Sequence, residues 1–166
     1  MQFNSQICTT VEQSQRLLSL GLKKETADMV WTHAYYGTWV VTASENPLYE
    51  ESESVPSWSL GRLIEMLPSL IPISKDLPTF HHYAYLDLSP VAVSYDWEDY
   101  DGTDRQLVGF YGNGLFAAVV DAIEWLIKEG YFNKEYLVDL TGADSHQDMV
   151  DAFGYAFEVM NAKREE

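Results

Sequence analysis

One cysteine, Cys8, stands in 166 residues, which excludes both an internal disulfide and a thiolate zinc cluster. Cations are scarce as well: ten Lys and Arg face 26 Asp and Glu, a formal charge of −16. Only Lys23-Lys24 and Lys163-Arg164 are adjacent, whereas a nucleic-acid-binding surface needs clustered cations to displace counterions from phosphates. Direct binding of nucleic acid is therefore not expected, nor is docking on anionic lipid. Long apolar runs are also missing. No segment approaches the ~20 apolar residues that span a bilayer. The first ten residues, MQFNSQICTT, have neither the basic start nor the apolar core of a signal peptide. The expectation is a soluble, cytoplasmic chain without membrane attachment. No internal repeat of the solenoid or propeller kind is found.

What is present favours a packed fold. Hydrophobic residues are 46% of the chain and aromatics 14%, enough apolar area to offset the entropy of ordering it. The length fits a single domain over 1–166, with 45–56 as an exposed acidic loop and 163–166 as a frayed tail. Four stretches read as helices. The first starts at Thr10, with Gln13 as capping-box partner, and stops at Gly21. A second follows Pro56, with Ser57 as N-cap, Leu60, Leu63, Ile64 and Leu67 on one face, and Pro68 as terminator. A third covers 115–130. Its stripe is Phe116, Val119, Val120, Ile123 and Ile127, Glu124 stands four residues before Lys128, and Gly130 ends it. The fourth runs from about Ser145 to Ala162, its core face built from Met149, Val150, Phe153, Phe157 and Met160. The segment 25–31 makes a short helical turn, and 33–42 and 80–88 read as strands, with 136–140 as a further short one. Helices and antiparallel strands in irregular order give an α+β class: a sheet of about four strands packed by about four helices in two layers.

The most unusual stretch is YDWEDYDGTDR at 95–105, with five acids and three aromatics. Placing Gly102 at the sixth position of a calcium-binding EF-hand loop puts Trp97 first and Val108 twelfth, so the bidentate anchor is missing. A hairpin fits better. A two-residue type I′ turn at Asp101-Gly102 opposes Glu98 to Arg105 and Asp96 to Leu107 on one face. The other face then pairs Trp97 with Gln106, Tyr95 with Val108 and Val93 with Phe110. The hairpin tip keeps a surplus of negative charge, and Asp96, Asp99, Tyr100, Asp101 and Asp104 are the candidate contacts for a basic protein partner.

Other chemistry is thin. His81-His82 points its rings to opposite faces of a strand, the wrong geometry for one metal. No serine lies in a G-x-S-x-G setting. GFYGNG at 109–114 lacks the spacing and the lysine of a phosphate loop, and its glycines serve to end a strand and enter a helix. Cys8 at a helix entrance is either an activated or a buried, inert thiol. No cofactor, metal ligand or catalytic residue is assigned. Five Trp and eleven Tyr exceed what the core needs, which leaves aromatics for an interface.

The blocks SQRLLSLGLKKETADMVW (14–31), PSWSLGRLIEMLP (56–68) and LFAAVVDAIEWLIKEGY (115–131) resemble small proteins encoded by phages, prophages and other mobile elements of gut Bacteroides-type bacteria. That group carries no known activity, so the resemblance implies a context alone: an intracellular accessory protein of a mobile element. Together with the charge, it leads to the expectation of a non-enzymatic interaction module, in one version an inhibitor that imitates the charge of nucleic acid. The competing expectation is a small-molecule or nucleotide-binding protein or enzyme, with an aromatic-lined pocket between sheet and helices.

Overall fold

The structure, a computed structural model, describes residues 6–33, 39–43, 54–73 and 83–138. Its class is α+β, with two antiparallel sheets of three and four strands and three α-helices among the described residues. The strands thus divide between two sheets where the sequence suggested one. The expected fourth helix, the tail at 163–166, and 45–53 of the acidic segment lie outside the described residues. Two compact units result. One comprises residues up to Arg62 together with those from Lys134, and the other is Leu63–Asn133.

The first unit opens with α1 (Val11–Ser19), where the capping box forms as the sequence implies. Thr10 Oγ1 accepts from the Gln13 N–H at 3.2 Å, and Gln13 Oε1 accepts from the Thr10 N–H at 2.9 Å. Gly21, at φ +91°, reverses the chain at the far end. Its N–H donates to Leu18 O and that of Leu22 to Leu17 O, the Schellman pattern. A 3-10 turn (Lys24–Thr26) leads into β1 (Met29–His33), which lies between β2 (Trp39–Ala43) and β3 (Ser54–Ser57). The strand expected at 33–42 is therefore the end of β1 and most of β2, which run antiparallel with His33 opposite Trp39. Aromatic and β-branched content marks strand but not reversal.

The acidic segment also ends differently: Ser54, Val55 and Pro56 belong to β3, with Val55 buried. Pro56 is tolerated because among the described residues β3 is an edge strand, where proline's missing N–H can face away from the ladder. Ser57, the expected N-cap, is in that strand, and Ser59 does the capping. Its Oγ accepts from the Arg62 N–H at 3.2 Å while donating to Asp28 Oδ2 at 2.5 Å, at the start of α2 (Leu60–Glu65). Of the strand expected at 136–140, the described part ends at residue 138 and holds a bridge from Leu22 to Leu137, after a 3-10 turn at Lys134–Tyr136.

Thr9 is the polar centre of this unit. Fully buried, its hydroxyl shares hydrogen bonds with Ser14 and Ser57 and accepts from the Trp58 N–H at 3.0 Å. Its carbonyl accepts from Trp31 Nε1 at 2.7 Å. Trp58, with no exposed surface, donates through Nε1 to Thr26 Oγ1 at 2.9 Å.

In the second unit the sheet order is β4 (Leu70–Pro72), β5 (Tyr83–Ser89), β6 (Ala92–Glu98) and β7 (Asp104–Tyr111). Then α3 (Leu115–Glu129) packs on β6 and β7. Gly112 admits it, since a Cβ there would meet the Ala117 side chain at 2.9 Å. Phe116, Val119, Val120, Ile123 and Leu126 are buried, each contributing about 1.5–3 kcal/mol. Opposite them lie Ile71, Ala84, Val93 and Tyr95, also buried, with Phe110 ringed against Trp125 at 5.9 Å. The helix ends at Gly130 in the left-handed region, and Glu124 pairs with Lys128 as its spacing implies.

Candidate functional site

The hairpin forms, but its tip is built differently from the two-residue turn. Gly102 N–H donates to Asp99 O, and Asp99 N–H donates to Thr103 O, each at 2.9 Å. Gly102 has φ +77°, and among the described residues no non-glycine has positive φ. This is a type I turn followed by a left-handed glycine, the three-residue hairpin loop, which spares Asp101 the strained conformation that a type I′ turn would impose. Further down, Tyr95 opposes Val108 and Val93 opposes Phe110, as the sequence implies. Between Tyr95 and Asp96 the register shifts through a bulge, so Asp96 faces Gln106, Trp97 faces Arg105, and Glu98 faces Asp104.

That one-residue shift changes the electrostatics of the hairpin. The expected attraction of Glu98 for Arg105 is replaced by a like-charge pair, Glu98 against Asp104, an arrangement that costs stability. Arg105 points with Trp97 to the other face and its Nε reaches Asp99 Oδ2 at 2.9 Å. Asp99 also accepts from the Tyr100 N–H, and Asp101 Oδ1 accepts from the Thr103 N–H at 2.9 Å. Hydrogen bonds from Thr103 hold the Asp101 carboxyl below the usual carboxylate range.

The five candidate contacts therefore separate. Asp99 and Asp101 are engaged in shaping the loop, and Tyr100 stands exposed at its tip. Asp96 and Asp104 instead lie on the face of the sheet turned away from α3. There the alternation of β5 adds Tyr83, Tyr85 and Asp87, and β7 adds Gln106 and Tyr111. Tyr83, Tyr85 and Tyr111 are 41%, 43% and 68% exposed. Tyr85 pairs with Asp96 across the β5–β6 ladder. Its phenol is pushed above the ordinary tyrosine range by local desolvation and by the charges of Asp104, Asp96, Asp87 and Glu98, in that order. On the sheet lattice such carboxylates stand ~5–7 Å from their neighbours. Beside them the Tyr111 ring folds back over Gly109, where any Cβ would meet it at 2.8 Å, and its hydroxyl accepts from Gln106 Nε2 at 2.9 Å.

Sequence reasoning missed Tyr83, Tyr85, Asp87 and Tyr111. The signal was the two-residue period of YAYLD, which puts both tyrosines and the acid on one side. The carboxylates of this face do not converge: among the described residues no three His, Cys, Asp or Glu are grouped to hold a metal ion. His81 and His82 lie outside the described residues. Cys8 is buried, and desolvation, which disfavours the thiolate, pushes its pKa up despite a hydrogen bond with Ser57. No described helix is long and apolar enough to cross a membrane. No family model, curated protein or solved structure matches the chain.

Proposed function

We propose that this chain is a non-enzymatic interaction protein whose open, acidic and tyrosine-bearing sheet face docks a cationic protein partner. The observation that carries this reading is the opposition of Glu98 to Asp104 on a face that already presents Asp87 and Asp96 around Tyr85. A sheet stabilised for its own sake would place a cation there, and the bulge moves the available one, Arg105, to the other side. Repulsion retained in the free protein is relieved when a partner supplies guanidinium or ammonium groups, and exposed tyrosine rings add cation–π attraction. In the mobile-element setting that the resemblance implies, the chain is cytoplasmic. Its partner there is a host protein whose basic groove takes nucleic acid, and the chain occupies that groove by imitating the charge.

Charge reversal of the face tests this. Calorimetric titration with a blocked peptide of alternating Arg and Val should show salt-sensitive binding that Asp87→Lys/Glu98→Lys/Asp104→Lys weakens about tenfold or more, about 1.4 kcal/mol. The charge-matched variant Glu12→Lys/Glu25→Lys/Glu129→Lys, altered at exposed sites elsewhere, should bind nearly as the parent does. Equal weakening by both triples would reduce the effect to net charge and defeat the reading.

A further inference from the structure

The two edges of the second unit's sheet are unlike. β4 is three residues long and ends in Pro72, two of the devices that stop an edge from recruiting another strand. β7 is eight residues long and has no proline or lysine, and among the described residues it pairs with β6 alone. Its irregularity is the single bulge near Leu107. The closing bond from Asp99 N–H to Thr103 O fixes which backbone groups face which way. In an antiparallel ladder, hydrogen-bonded and non-bonded pairs alternate. Trp97–Arg105 is then a bonded pair, and Glu98–Asp104 and Asp96–Gln106 are non-bonded pairs. The N–H and C=O of Asp104 and Gln106 therefore point away from β6, and beyond the bulge so do those of Gly109 and Tyr111. These are the residues whose side chains lie on the acidic, tyrosine-bearing face.

From this coincidence we infer that the partner binds by strand addition: an extended cationic segment pairs with the β7 edge and extends the sheet. Resting on the docking reading above, the inference adds its mode and the form of the partner. Main-chain bonds to Asp104, Gln106, Gly109 and Tyr111 supply affinity, and alternate side chains supply selectivity. Every second residue of the segment projects over the open face, where arginine meets Asp104 and Glu98 and stacks on the exposed Tyr111 ring. The residues between project to the Val108 and Phe110 side and are apolar. A second copy of this chain is the wrong occupant, because two bodies of charge −16 repel.

Amide hydrogen exchange by NMR tests the inference. A blocked octapeptide of alternating Arg and Val should slow exchange at Asp104, Gln106, Gly109 and Tyr111 by about tenfold or more, the factor that 1.4 kcal/mol gives. An isomer with the arginines in one block should bind by charge and protect these amides far less. Gln106→Pro removes an outward donor while leaving the β6 ladder intact, and should abolish the preference for the alternating peptide. Gln106→Ala should keep it. Binding of both peptides without edge protection would overturn strand addition and leave face docking standing. No binding of either would defeat both readings. Edge protection that appears without peptide and grows with protein concentration would assign the edge to a second copy, against the inference.

Discussion

Trp58→Ala should lower unfolding stability by about 3–5 kcal/mol, the range for truncating a buried aromatic. Trp58 has no exposed surface, so the lost indole leaves a cavity that its neighbours fill only in part. The change also takes from Thr26 Oγ1 the donor at 2.9 Å, although that hydroxyl keeps its own bond to Lys23 O. Trp58→Phe keeps most of the apolar area and loses the indole N–H, and should cost nearer 1 kcal/mol. Urea unfolding of the three proteins measures the order. A loss under about 1 kcal/mol for the alanine variant would show that Trp58 is not the centre of the first unit's core.

A second large effect follows from Tyr95, which is fully buried in the other unit and donates its hydroxyl to Pro68 O at 2.8 Å. Desolvation pushes its pKa well above the ordinary value of 10.0. Below that value folded and unfolded chains both hold the proton, and the buried phenol contributes its full stability. Above it the unfolded chain releases the proton while the folded one keeps it. Stability therefore falls as pH rises, by at most about 1.4 kcal/mol per unit. Tyr85, shifted the same way on the open face, acts in the same sense. Urea midpoints measured from pH ~8 to ~11 should decline in the parent and decline less in Tyr95→Phe. Identical slopes would remove Tyr95 from the effect.

Local chemistry was the legible part of this sequence. The capping box at Thr10 and Gln13, the left-handed glycines at 21 and 130, and the stripe of α3 depend on residues within a turn of each other. They formed as their spacing implies, except that Leu126 is buried in the stripe and the expected Ile127 only half-buried. Pairing was harder to read, because it depends on residues far apart in the chain. The run 33–42 has strand composition throughout and gave no sign of belonging to two strands. Ser57 and Ser59 are equally good caps by type, and the choice falls to Ser59 because Asp28, distant in sequence, fixes its hydroxyl. The hairpin register was right on one side of the bulge and wrong on the other. Asp-Gly suits a type I′ turn and a type I turn with a following glycine equally well, and the two differ by one residue in what they oppose. That residue turns an attractive Glu98–Arg105 pair into a repulsive Glu98–Asp104 one. It also moves the candidate surface from the hairpin tip to the sheet face, where Tyr83, Tyr85 and Asp87 from a different strand complete it.

The docking face is tested most directly through the Tyr85 hydroxyl, whose carbon-13 resonance reports its proton. In the free protein Tyr85 should titrate above an unperturbed tyrosine, held up by its desolvated setting and the four carboxylates near it. Saturation with the alternating Arg and Val peptide should bring the titration down, because arginine remains charged throughout that range and stabilises the phenolate. A Tyr85 that titrates like a free tyrosine, or whose titration is indifferent to bound peptide, would contradict the assignment of this face to a cationic partner.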